Sequence, residues 1–226
     1  MKKRNRLSFI IGLISVIMFF IPANMQAQTG SSNPLPQFLF PSFSKGIIKM
    51  KDGRTMAAVL DYNMVDEEMV FQQNNLYLVV DKPENIDTVF LRNRKFVPVG
   101  NAFYEVVADG NVTLFIQHKS RYSPVGTPSA YGLKTQTAGP ATVQSVRGGG
   151  QYRKLDVPDD MTVSPAVAYW AKLNGTMNKF TTEKQFLKLF PGSETKIREY
   201  IKTSGIDMKT PEGLASLGKF CNELMK

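Results

Sequence analysis

Between Gly46 and His118 short apolar runs alternate with clusters of turn residues, and this stretch predicts the body of the fold. Asp52-Gly53 separates the runs 47–50 and 56–60. An Asp-Gly pair in that setting favours a tight hairpin, because both residues tolerate positive φ. Asn74-Asn75 lies between 69–71 and 76–80 and reverses the chain in the same way. Lys82-Pro83-Glu84-Asn85 is a turn signal, after which 86–91 is expected to pair with 95–99 across Arg92-Asn93-Arg94. Asp109-Gly110-Asn111 joins 103–107 to 112–117. About eight strands of the usual length result. Alternation at Leu76/Leu78/Val80, Phe103/Glu105/Val107 and Val112/Leu114/Ile116 gives the sheet one apolar face. Nearest-neighbour antiparallel pairing is expected, and so many strands left flat would expose unprotected edges, so the sheet should curl and be capped.

After residue 180 the period changes from two to about three and a half. Before that point, 155–157 and 166–171 flank Pro158-Asp159-Asp160, and Asn174-Gly175 turns the chain into 177–180 as a late hairpin. Thr182 with Gln185 three residues on is a capping box, and Phe186, Leu187 and Phe190 share one face before Pro191-Gly192. Ser193 is expected to cap a second helix presenting Ile197, Tyr200 and Ile201 and ending at Gly205. Thr210-Pro211-Glu212 starts a third, followed by Leu214, Leu217, Cys221 and Leu224. The expected architecture is α+β: an antiparallel β-meander curled into a barrel-like or sandwich-like body, then a long loop and a small three-helix C-terminal tail. Its divisions are a signal peptide at 1–27, a flexible tether and aromatic arm at 28–44, a β-rich domain at 45–119, a Gly/Ser/Pro-rich loop at 120–153, and a hairpin plus helical tail at 154–226.

The first division rests on Lys2, Lys3, Arg4 and Arg6 preceding an apolar run at 7–21 and a small-residue segment ending at Ala27. The run is shorter than the roughly 20 residues of a membrane span, and no Cys follows it to carry a lipid. Export to the periplasm or the outer membrane is expected. Removal of the leader takes four of the positive charges and lowers the formal net charge from +9 to +5. So mild an excess gives little support to nucleic-acid binding, and no nucleic-acid partner is expected. In the arm, Phe38, Phe40 and Phe43 form either a sticky surface for a partner or a segment lying across its own domain.

Chemistry is sparse. His118 is the only histidine and Cys221 the only cysteine, so zinc sites and His-dependent triads lack their parts. His118 is read as a surface or core residue, and Cys221 as a small buried apolar side chain with an intermolecular disulfide as the alternative. Gly148-Gly149-Gly150 opens no helix and fails as a phosphate cradle. Asp66-Glu67-Glu68 and Asp159-Asp160 are acid clusters in turns, and a hydrolase would need two such carboxyls across a cleft. Arg92, Arg94 and Lys95 make a positive hairpin, and Lys119 and Arg121 add charge after the last strand of the meander; brought together by the strands, they would suit lipid headgroups, anionic glycan or an acidic partner surface. No cofactor and no metal are expected.

Lys51-Asp52-Gly53, Leu60-Asp61-Tyr62-Asn63, Glu67 to Phe71, Ile86-Asp87-Thr88-Val89, Phe96, Ser129-Ala130-Tyr131-Gly132 and Phe186 to Pro191 together resemble a group of exported proteins of unknown function from Bacteroidota. The resemblance implies an envelope protein of a two-membrane bacterium and carries over no reaction. The expected function is that of a non-enzymatic envelope protein, a binding or assembly subunit at the periplasmic face of the outer membrane. Another envelope or outer-membrane protein is the expected partner, with peripheral membrane contact through the basic hairpin. The alternative is a secreted hydrolase using the acids near Asp66.

Overall fold

A computed structural model describes residues 35–74, 76–125, 127–128, 134–135, 147–148, 151–152, 157 and 161–226. The leader, the tether to residue 34, most of the 120–153 loop and Asp159-Asp160 lie outside the described residues.

The turn chemistry places the strands. Gly53 takes a positive φ of 88° between β1 (Ser44–Met50) and β2 (Thr55–Asn63). Asn74, at φ 51°, leads from β3 (Glu68–Gln73) towards β4 (Leu76–Val79). A single 3₁₀ turn at Pro83–Asn85 precedes β5 (Ile86–Leu91), and Arg92 and Asn93, both at positive φ, join it to β6 (Arg94–Val99). Then come β7 (Ala102–Ala108), β8 (Val112–Pro124), β9 (Met161–Leu173) and β10 (Thr176–Phe180).

These ten strands form one antiparallel sheet in the order β4-β3-β2-β1-β5-β6-β7-β8-β9-β10. Residues 151–152 add to the free edge of β4 and pair with 147–148. Residues 127–128 pair with 134–135 apart from the sheet. The ladder does not close among the described residues. Pairing between neighbours in sequence fails at one place: β5 lies against β1, with Ile47 opposite Phe90, rather than against β4. The physical reason is that β1, as the first strand of the sheet, had an edge free, and the Pro83–Asn85 turn carries the chain back to it. A second difference concerns length. β8 runs through the expected boundary at residue 119 to Pro124, because β9 pairs with it along its whole extent, from Val112–Leu173 to Pro124–Met161. The expected reversal at Pro158-Asp159-Asp160 and residues 155–156 lie outside the described residues, and 166–171 pair with β8.

The turn between β2 and β3 holds the sheet bent. Ser120 N donates to the Met64 carbonyl (2.8 Å) and Phe103 N to the Glu67 carbonyl (3.1 Å), so this turn lies against β7 and β8. Leu60, Tyr62, Met69, Ile86, Val89, Leu91, Phe96 and Phe103 bury themselves in one apolar cluster inside the bend.

A second cluster joins Val112, Leu114, Ile116, Ala171 and Phe180 of the sheet to α1 (Glu183–Leu187), α2 (Glu194–Thr203) and α3 (Pro211–Leu224). Thr182 caps α1 by accepting from Gln185 N (3.2 Å), and Thr210 caps α3 by accepting from Gly213 N (3.1 Å). Ser193 precedes α2 without such a bond, and Glu194 instead accepts from Gly192 N (2.8 Å). That carboxylate satisfies the turn and favours the positive helix end. No helix among the described residues is long and apolar enough to cross a membrane.

Candidate functional site

Failure of β5 to pair with β4 has a structural consequence: two clefts flank the connecting segment. The larger, about 560 Å³, is lined by Glu68, Leu78, Lys82, Asn101 and Phe103. The smaller, about 410 Å³, is lined by Met50, Met56, Ala58, Gln73 and Ile86. Phe71, Val79, Val80 and Asp81 belong to both. Met50, Ala58, Phe71 and Val80 also pack against the inner cluster, so the smaller cleft is an apolar opening onto the core. Met56 stands at it 52% exposed.

Deeper in the bend the two apolar clusters meet at a charged seam. Along β7, Phe103 enters the inner cluster and Val107 packs on the helical one, and alternation puts Glu105 between them. Its side chain is 5% exposed. Arg94 Nε donates to Glu105 Oε1 (2.5 Å) and Arg94 Nη2 donates to Oε2. The guanidinium lies 5.1 Å from the ring centroid of Phe40 and 5.6 Å from that of Phe96. His118 Nε2 stands 2.7 Å from Glu105 Oε2 and 2.8 Å from Arg94 Nη2. Protonated, that nitrogen donates to the carboxylate; bare, it accepts from the guanidinium. Burial raises the Glu105 pKa, but bonds from His118 and Arg94 outweigh it and hold the carboxyl below its ordinary value. Tyr62 donates to the His118 carbonyl (3.0 Å) and stacks on Phe96.

The residues singled out in the basic hairpin do not converge. Arg94 and Lys95 are successive strand residues and point to opposite faces. Arg94 turns inward to Glu105, Lys95 pairs with Asp109 (2.6 Å), and Arg92 donates to the carbonyl and hydroxyl of Ser42 (both 3.0 Å). Lys119 pairs with Glu67 (2.9 Å). Arg94, Lys95 and Lys119 are each paired with a carboxylate, whereas Arg92 is held by the neutral groups of Ser42.

The aromatic arm lies across its own sheet. Leu39 N donates to the Tyr62 carbonyl (2.9 Å) and Phe40 N to Asp61 Oδ1 (3.3 Å), so the arm extends the line of β1 beside β2. Phe38 and Phe40 are buried, and Phe38 packs with Phe43, Tyr77 and Val70.

Of the acids, Asp66 accepts from Asn63 Nδ2 (3.1 Å) and lines neither cleft, whereas Glu68 shares the larger cleft with Asp81 and Lys82. Cys221 is buried in the helical cluster, which pushes its thiol up to about 12 and leaves almost no thiolate for reaction. Among the described residues no group of three or more His, Cys, Asp or Glu side chains is placed to hold a metal ion.

Sequence reasoning passed over Glu105 and Asp61. For Glu105 the signal was present, since an acid in the Phe103/Glu105/Val107 series falls on an apolar face. Asp61 gave none, because its burial depends on the arm folding over it. No protein-family model, curated protein or solved structure matches the chain.

Proposed function

We propose that the protein is a non-enzymatic exported component of a bacterial envelope, a binding or assembly subunit at the periplasmic face of the outer membrane. In this reading the bent sheet is a half-closed, barrel-like body whose opening takes an apolar segment of another envelope protein. One observation carries it: the smaller cleft is walled by Met50, Met56, Ala58, Phe71 and Ile86 and leads directly to the inner core. Concave apolar sites of this kind bind ligands or partner segments. The basic leader and the resemblance to exported proteins support the compartment.

The test is co-purification from detergent-solubilised envelopes. Wild type should retain a stoichiometric envelope protein, and Met56→Glu should lose it while keeping its thermal unfolding profile, since Met56 is half-exposed. Wild type recovered as a free monomer counts against the proposal.

A secreted hydrolase is the second reading, and the sharing of the larger cleft by Glu68 and Asp81 favours it. Hydrolysis of a glycan or peptide substrate abolished by Glu68→Gln would decide for it.

A further inference from the structure

On the outer face of the sheet a third cavity, about 260 Å³, lies beneath the aromatic arm. Its walls include Leu35, Phe38, Phe43 and Tyr77, and its floor includes Asp61. Phe43 stands between the other two rings, 5.1 Å from Phe38 at 58° and 5.1 Å from Tyr77 at 51°, so the three rings form one continuous side of the cavity.

Asp61 is 1% exposed. Its Oδ1 accepts from Tyr62 N (2.7 Å) and Phe40 N (3.3 Å), while Oδ2 has no hydrogen-bond partner among the described residues. The arm, residues 35–43, brings no ionisable side chain to the cavity. The positive charge that bears on Asp61 is Arg92, whose guanidinium is engaged with Ser42 and lies 5.5 Å from the Phe40 ring centroid. An asparagine would accept the same two backbone bonds, so the negative charge is a property that hydrogen bonding does not require.

We propose that this cavity binds an aliphatic ammonium group, seated against the Phe38, Phe43 and Tyr77 rings with its charge above the buried carboxylate of Asp61. Aromatic faces attract weakly hydrated organic cations, most strongly where water is excluded. A carboxylate supplies the full counter-charge. A hard metal ion is the wrong occupant, since it asks for several oxygen ligands and Asp61 is the one carboxylate in a lining that is otherwise aromatic and aliphatic apart from Ser42 and Gln72. The group can come from a small amine or from a lysine side chain of another protein, and the chemistry at the floor is the same. Burial pushes the Asp61 carboxyl up to about 7, so affinity should rise as the pH passes upward through neutrality and the carboxylate forms.

Ligand-observed NMR titration of the purified full chain tests this with three probes: choline, its neutral isostere 3,3-dimethylbutan-1-ol, and the capped peptide Gly-Lys-Gly. Choline or the peptide should bind saturably, at least tenfold more weakly at pH 5.5 than at pH 8, and the isostere should not. Binding by the peptide alone identifies protein lysine as the source, and binding by choline alone a free amine. Asp61→Asn and Phe43→Leu should each weaken binding at least tenfold, the first by removing charge and the second by removing a ring while Asp61 stays. Absence of binding by both cations, equal binding of the isostere, or undiminished binding by folded Asp61→Asn overturns the proposal.

Discussion

Asp61 and Glu105 are both nearly inaccessible carboxylates, yet their surroundings set opposite signs. Burial dominates at Asp61 and lifts its pKa to about 7 against the bonds from Tyr62 and Phe40 and the field of Arg92. A folded-state value above the unfolded one means that its contribution is complete below the ordinary carboxylate range. That contribution is lost as pH rises through about 7. The ionised side chain therefore costs on the order of 2–4 kcal/mol above neutrality. Asp61→Asn should raise the thermal midpoint by several degrees at pH 8 and hardly at pH 4, and an equal gain at both would refute the assignment. Glu105 runs the other way. Its lowered pKa means that stability is present above the unfolded value and drains as acid protonates the folded carboxyl. Glu105→Gln should cost about 3 kcal/mol at pH 7, because the partly buried Arg94 guanidinium loses its counter-charge, and should flatten the acid limb of a midpoint-against-pH curve. A variant as stable as wild type at pH 7 would show the seam to be solvated. The two acids also mark what a sequence discloses at this scale: alternation assigns Glu105 its face, but neither partner nor cover is written locally.

At the scale of elements, the caps of α1 and α3 and the apolar faces of the helices were legible because they depend on residues three and four apart, whereas the cap expected at Ser193 does not form. Thr182, Thr210 and the Leu214, Leu217, Cys221 stripe occupy the roles their spacing requires. The docking of α3 was not legible, since it rests on long-range fits. Asn222 Oδ1 accepts from Val112 N and its Nδ2 donates to the Val112 carbonyl, both at 2.8 Å, so one side chain closes the start of β8 as a neighbouring strand would. One helical turn earlier, a Cβ on Gly218 would fall 2.2 Å from that of Ala108 and 3.1 Å from Leu114 Cδ1. The absence of a side chain lets α3 approach β7. Gly218→Val should force the helix off the sheet at a cost of about 1–3 kcal/mol or more, since overpacking is not relieved by rotation of a β-branched side chain. Hydrogen exchange should quicken in α3 and at the start of β8 while β1 to β3 keep their protection. Unchanged exchange in α3 would mean that the close approach is not part of the packing.

For the molecule as a whole, periodicity identified the strands and could not order them. The pattern of apolar residues fixes which face of a strand is buried. It says nothing of which of two free edges the next strand will take. That gap matters because the insertion of β5 beside β1 leaves β4 apart from β5, and the two clefts lie at that break. The topology and the proposed binding opening therefore stand together. Ile47 and Phe90 test them directly, as they sit opposite one another across β1 and β5 and both are exposed. Facing residues of an antiparallel pair have Cα atoms about 4.5–5.5 Å apart, within the range a disulfide spans. The one native thiol, Cys221, is buried and does not compete. The double variant Ile47→Cys with Phe90→Cys should, on mild oxidation, form a single intramolecular crosslink detectable by peptide mass mapping, with no loss of thermal stability. A chain that instead remained as free thiols, or crosslinked only into dimers, would place β5 elsewhere in the sheet and remove the opening on which the binding reading rests.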